Sequence, residues 1–177
     1  MYKSLENIHT INMHDINIFL TYSILGFFYE CIINFIQDGR FSSGFMYGPW
    51  TPIYGIGVLI ILYIYKKLKK YTKIKRLILL SIISMIILTV LEYIIGNLVE
   101  TLFNQTFWDY SKYKFNYRKF ISLESSLIWM IGSIIIIFIH KKLKKYIKKI
   151  PNQITIILSI IFTIDLVLSV IRISSLK

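Results

Sequence analysis

The sequence predicts an all-α, polytopic membrane bundle of about five transmembrane helices, and three observations predict it. Hydrophobic residues make up 55% of the 177-residue chain. Its mean hydropathy is +0.61, and its apolar share exceeds that of an ordinary soluble domain. Four stretches, 16–37, 77–103, 121–140 and 154–171, have the ~17–25 residues that cross a hydrocarbon core of ~30 Å. The apolar–polar alternation that builds an outer-membrane barrel is absent. The chain therefore reads as one integral membrane domain over 1–177 whose partner is the lipid bilayer. The apolar content excludes a disordered basic tail, despite a net charge of +12. It also speaks against a nucleic-acid partner.

The polar segment 1–15 has one lysine and no small-residue cleavage site, so the first helix is expected to stay in the chain. Helix 1 follows over 16–37. The next apolar stretch, 52–65, is short. It follows a loop with Gly44, Gly48, Pro49 and Pro52 and runs on through Tyr54, Gly55 and Gly57. It is either a short tilted span or a span whose start is re-entrant backbone buried in protein. Prolines remove donors and fix φ, and the glycines permit tight backbone, so this loop motif is a rigid entry turn or a carbonyl-lined site. Helices over 77–103, 121–140 and 154–171 complete the bundle.

Charge sets the expected orientation. Lys66, Lys67, Lys69, Lys70, Lys73, Lys75 and Arg76 follow helix 2. Lys141, Lys142, Lys144, Lys145, Lys148 and Lys149 follow helix 4. These thirteen of the 21 Lys and Arg have no acid among them. Five spans put both connections on one side, and the positive-inside rule makes that side cytoplasmic. The N-terminus is then cytoplasmic and the C-terminus extracellular, and loops 38–51 and 104–120 face outward together.

The two halves share a pattern. Gly26-x-x-x-Glu30-x-x-x-Asn34 reappears 70 residues later as Gly96-x-x-x-Glu100-x-x-x-Asn104. The string Lys-Lys-Leu-Lys-Lys-Tyr begins at Lys66 and again, 75 residues on, at Lys141. The expectation is two parallel helix-hairpin repeats, 16–76 and 77–150, with an extra helix in 151–177.

Function is expected to lie with the acids. Glu6 and Asp15 belong to the polar N-terminal segment. Glu30, Asp38, Glu92, Glu100, Asp109, Glu124 and Asp165 fall in spans or outer loops. A carboxylate at the bilayer centre costs about 2.5–3.5 kcal/mol on insertion scales, so each needs a partner or a wet cavity. Tyr22, Gly26, Glu30 and Asn34 recur every fourth residue, as do Glu92, Gly96 and Glu100, which puts each set on one helix face. Arg40, Arg118 and Arg172 are the cations available on the outer side, and Asp165 shares a helix face with Arg172. Trp108 and Asp109 sit in the second loop, where Asp109 caps a helix or pairs with Arg40 or Arg118. The candidate binding set is Glu30, Arg40, Glu92, Glu100, Trp108, Asp109 and Glu124, around an outward polar cavity for a cation, a proton or an amine-bearing solute. Buried acid–arginine pairs that only brace the bundle are the competing reading.

No metal or cofactor is expected. Cys31 is the single cysteine, and His9, His14 and His140 do not stand at ligand spacing. There is no Gly-x-Ser-x-Gly nucleophile elbow.

The segment Gly44-Phe45-Met46-Tyr47-Gly48-Pro49-Trp50-Thr51-Pro52-Ile53-Tyr54-Gly55-Ile56-Gly57 adds a resemblance. So do Leu91-Glu92-Tyr93 with Gly96 and Glu100, and Phe107-Trp108-Asp109-Tyr110 followed by Phe115-Asn116. Together, over about 22–132, they resemble the CmpB-like family of type IV ABC-transporter permeases. Ser42-Ser43, Thr51, Lys119-Phe120 and Met130 depart from its usual pattern. The resemblance implies a membrane transport protein of permease type. The chain has no Gly-x-x-x-x-Gly-Lys-Ser/Thr loop, so an ATPase would be a separate subunit acting in trans. Five short helices enclose little space, which favours a homo-oligomer. A non-transport accessory or sensor protein is the alternative, and an intramembrane lipid-modifying enzyme a more distant one.

Overall fold

The structure is a computed structural model that describes residues 12–175, apart from the Asp38 side chain. Glu6 and His9 lie outside the described residues. Five α-helices follow one another: α1 (Met13–Asp38), α2 (Pro52–Lys67), α3 (Lys73–Phe103), α4 (Leu123–Ile147) and α5 (Asn152–Ser174). Local chemistry explains most of their ends. The Asn12 side chain accepts from the backbone N–H groups of His14 and Asp15 and caps α1. Gly39, at φ 71°, closes it in the left-handed region. Pro52 opens α2, where its missing N–H costs nothing. Ser122 and Ser125 form a reciprocal capping box at the start of α4. Pro151 precedes α5.

The second outer loop is more ordered than an all-α reading suggests. Two short strands, β1 (Asn116–Tyr117) and β2 (Ile121–Ser122), pair antiparallel. The span expected to begin at residue 121 thus starts as strand and turns helical at Leu123. The turn between the strands holds Arg118 at φ 51°.

α1 packs along α2, α3 along α4, α2 also along α3, and α5 lies on α1. Both basic connections and the start of α1 meet at one end, where His14 is within electrostatic reach of Lys144 and Lys148. Arg76 closes the α2–α3 turn. Its Nε donates to the Tyr65 carbonyl at 2.9 Å, and its guanidinium lies 3.4 Å from the Tyr65 ring centre. At the same end His140 is buried against Tyr22, with the phenol 3.3 Å from Nδ1.

The surface is that of a membrane protein. On α3, Ile74, Ile78, Ile82, Ile86, Val90, Ile94, Leu98 and Leu102 recur every fourth residue and all are exposed. A second stripe on the same helix, Leu80, Ser84, Leu88, Glu92 and Gly96, is buried. An exposed apolar stripe of this length is unfavourable in water and favourable in lipid. Four helices, α1, α3, α4 and α5, are long and apolar enough to cross a membrane. The chain is thus a multi-pass, all-α membrane protein.

The fifth helix, α2, has 16 residues, or about 24 Å at ~1.5 Å per residue. Its start explains the shortness. The Thr51 N–H donates to the Ser23 carbonyl at 3.0 Å. Ser23 lies 15 residues before the end of α1, about 22 Å back along the helix axis. Segment 39–51 therefore descends beside α1 before α2 begins. Ser43, Met46, Trp50 and Thr51 are buried on the way. Irregular backbone at such depth must be covered by protein and hydrogen-bonded. Here α5 supplies the cover. Asp165 accepts from the N–H groups of Tyr47 at 3.0 Å and Gly48 at 2.8 Å, and Arg172 donates to the Phe45 carbonyl. Of the two sequence alternatives, the structure has the descending backbone.

Candidate functional site

Glycines bring the helices close enough to build a site. A Cβ on Gly55 would lie 2.6 Å from the Phe19 carbonyl oxygen, so α2 runs against the backbone of α1. A Cβ on Gly26 would overlap the Tyr54 ring, which sits directly on that helix face. Tyr54 is thereby aimed into the space between α1, α2 and α4. Its ring centre is 5.8 Å from Tyr29 and 5.8 Å from Trp129.

Two carboxylates reach this space from different helices. Glu30 on α1 accepts from the Ser43 hydroxyl at 2.5 Å, and Ser43 is 2.9 Å from the Thr51 hydroxyl. Glu92 on α3 is 6% exposed. Its Oε1 accepts from the Tyr110 hydroxyl at 3.2 Å. Its Oε2 is buried with no hydrogen-bond partner among the described residues. The Trp129 indole N–H and the Ser125 hydroxyl of α4 are near enough to act on Glu92 as longer-range donors, though neither forms a well-formed hydrogen bond to Oε2. Glu30, Tyr54, Glu92 and Tyr110 are all within electrostatic reach of one another. Tyr110 comes from the outer loop. Burial first, then the Glu92 and Glu30 carboxylates, hold its phenol above the ordinary range. It therefore stays protonated at physiological pH and acts as a donor to Glu92.

The structure thus gathers two of the predicted acids, Glu30 and Glu92, with Tyr54 of the loop motif. The other predicted residues lie elsewhere. Glu100 forms an ion pair with Lys119, both about one-third exposed. Asp109 is exposed; the Ser111 hydroxyl first, then the Ser111 N–H that donates to its Oδ1 at 2.8 Å in a turn, hold the carboxyl below its ordinary range. Of the options for Asp109, a local cap is what the structure has, on a turn instead of a helix. Trp108 packs against Phe120 with ring centres 6.3 Å apart, and its indole N–H is buried without a partner among the described residues. Glu124 is in the first turn of α4, where the helix dipole favours an acid. Arg40 follows the α1 cap and is exposed. Gly44 adopts φ 60°, which a residue with a side chain rarely tolerates. Gly48 is hemmed in: a Cβ there would lie 2.7 Å from Asp165 Oδ2. Pro49 stands beside it in a groove along α5 that includes Asp165 but neither Glu30 nor Glu92.

Sequence reasoning missed Ser43, Ser125 and Trp129. Ser43 and Thr51 are two of the loop positions that depart from the family pattern, and that departure was the available signal. Ser125 and Trp129 stand four apart on α4, so a polar–aromatic stripe on that helix was the clue. The expected acid–arginine pairs do not organise this cluster. Arg172 serves the loop carbonyl and stacks 4.1 Å from the Tyr47 ring centre, and Asp165 serves loop N–H groups. Among the described residues, no three His, Cys, Asp or Glu side chains gather as a metal site.

Comparison with known proteins places the chain. No curated protein and no solved structure matches it. A family model does match over residues 17–172, most of the chain, and the glutamates, loop glycines and tyrosines just described all fall inside that range. The chain belongs to the family described as "Putative ABC-transporter type IV".

Proposed function

We propose that this protein is a permease-type subunit of a membrane transporter, with a solute-binding site formed by Glu30, Glu92, Tyr54 and Tyr110. Membership of a family described as an ABC transporter supports a membrane transport role in general. The observation that carries the finer reading is Glu92. A carboxylate buried in a membrane bundle with one oxygen lacking a well-formed hydrogen bond among the described residues is costly. Such a residue is explained by a ligand that arrives during the working cycle. Energy would come from an ATPase subunit in trans, because the sequence holds no phosphate-binding loop. The thirteen basic residues at one end orient that end to the cytoplasm, and loops 39–51 and 104–122 then face outward. A homo-oligomer would supply the enclosed volume that five helices lack.

The test compares solute profiles of cells expressing wild type, Glu30→Gln and Glu92→Gln at equal membrane abundance. Wild type should change the cellular level of at least one solute, and each substitution should remove most of that change. Identical profiles for wild type and both variants would reject the site. A membrane-impermeant maleimide should label a cysteine placed at Ser111 on intact cells; labelling only after lysis would reverse the orientation.

A further inference from the structure

We infer that the Glu30–Glu92 site takes an organic cation bearing an ammonium group, a substrate class that rests on the transport reading above. The geometry narrows the ligand by its donors. The unpartnered Glu92 Oε2 is more than nine-tenths buried and calls for a positive or hydrogen-bond-donating partner. Glu30 supplies a second carboxylate within electrostatic reach. Much of the rest of the lining is aromatic, with the hydroxyls of Ser43, Thr51 and Ser125 beside the acids. Tyr54 is 5.8 Å from both Tyr29 and Trp129 by ring centre, Trp129 also lies beside Glu92, and Tyr110 donates to Glu92.

Each simpler cation fits this lining less well. A transition metal wants three or four His, Cys or carboxylate ligands, and no such group is present among the described residues. A bare alkali or alkaline-earth ion must exchange its hydration shell for six or so oxygens. Here much of the lining beyond the carboxylates and hydroxyls is ring carbon, from Tyr29, Tyr54 and Trp129. An alkylammonium head matches both parts at once. Its charge would be met by the carboxylates and its carbon shell by the aromatic side chains around them, the combination that aromatic cages use for quaternary ammonium ligands. Glu30 is held by Ser43 on the descending loop, itself hydrogen-bonded to Thr51, and Glu92 by Tyr110 on the other outer loop. The bound ammonium would therefore bridge the two outer loops.

The experiment uses the full chain in lipid nanodiscs and reads tryptophan fluorescence during titration. The probes are choline chloride, sodium chloride at equal ionic strength, and 3,3-dimethyl-1-butanol, the uncharged isostere of choline. A saturable response to choline, absent for sodium and the isostere, is expected. Removing the charge in Glu92→Gln should weaken it by about tenfold or more, the factor that corresponds to ~1.4 kcal/mol. Trp129→Phe should shrink the signal, while Thr163→Ala on α5 should behave as wild type. A second measurement needs no variant: hydrophobic carbodiimide labelling of Glu92 in wild type, followed by mass spectrometry, should slow at least about threefold with choline, since an occupied carboxylate is shielded. No saturable response together with no protection overturns the inference, and so does an equal response to the isostere. If Glu30→Gln and Glu92→Gln abolish solute changes in cells but no ammonium probe binds, the ammonium class is wrong and the transport reading stands. If choline binds but cells show no solute change, the transport reading fails and the ammonium site stands.

Discussion

The hairpins α1–α2 and α3–α4 carry the same Gly-x-x-x-Glu-x-x-x-Asn motif and use it differently. In both, the glycine receives an aromatic ring from the returning chain: Tyr54 on Gly26 and Phe120 on Gly96. The acids then diverge. Glu30 turns to the interior and meets Ser43, whereas Glu100 pairs with Lys119 at the rim. The reason is where each helix ends. α1 continues eight residues past Glu30, two further turns, so its loop must come back down the helix and covers Glu30 on the way. α3 stops three residues after Glu100, and Asn104 caps it at φ 54°. Its loop forms the β1–β2 hairpin and sends single side chains back down, Phe120 onto Gly96 and Tyr110 to Glu92, without covering Glu100. The interior acid of the second hairpin is therefore Glu92, two turns deeper. A motif fixes a helix face, and helix length relative to the motif decides whether that face is covered.

The largest effects are expected where the hairpins close. Gly55→Ala drives a Cβ into the α1 backbone, which cannot yield as a side-chain tip can. It should cost about 3 kcal/mol, the upper end for overpacking. Gly26→Ala and Gly96→Ala meet the base of an aromatic ring and should each cost about 1–3 kcal/mol. Gly132 has open space, so Gly132→Ala should be neutral or stabilising by up to about 1 kcal/mol through helix propensity. Thermal unfolding in detergent would rank the four. Equal losses at Gly26 and Gly132 would mean that the first hairpin is not closed by Tyr54.

Smaller and local effects are expected from the feature found in one hairpin alone, the hold of α5 on the first loop. Asp165→Asn leaves one acceptor oxygen where the carboxylate had two. Either the Gly48 N–H loses its partner or the Tyr47 N–H is left with the Ser169 hydroxyl at 3.2 Å alone, at up to about 1–2 kcal/mol. Hydrogen exchange should rise about tenfold across 43–51, the factor for ~1.4 kcal/mol. It should stay level across 104–115, whose Tyr110 N–H is bound by the Lys119 carbonyl instead. A rise of similar size in both loops would show that Asp165 acts on the whole bundle.

The sequence made the helices and several of their ends legible because membrane spans are set by length and apolarity, both of which are local. The reach of Glu92 and Tyr54 was legible in part, from fourth-residue spacing and from the loop motif. Two things were not. Spacing put Glu92 and Glu100 on one face, and the apolar run already ended at 103, but neither showed that Lys119 returns from the outer loop to pair with Glu100. The descent of 39–51 depends on Thr51 finding Ser23 and on Asp165 finding Gly48, contacts between residues 28 and 117 apart that no local pattern encodes.

The smallest effect should come from the Glu100–Lys119 pair, and it bears most directly on whether the halves are equivalent. Both side chains are about one-third exposed, a setting in which an ion pair contributes at most about 1 kcal/mol. Glu100→Gln should therefore shift stability by less than that, with the shift shrinking in high salt because exposed pairs are screened. Glu30→Gln removes an acceptor from a part-buried Ser43–Thr51 chain and should be salt-insensitive. Solute profiles add the functional side. If the two hairpins are parallel repeats whose acids do the same work, Glu100→Gln should imitate Glu30→Gln in cells. If helix length has separated them, only Glu30→Gln should change the profile, and the shared motif then preserves a packing glycine and a helix end but not a binding role.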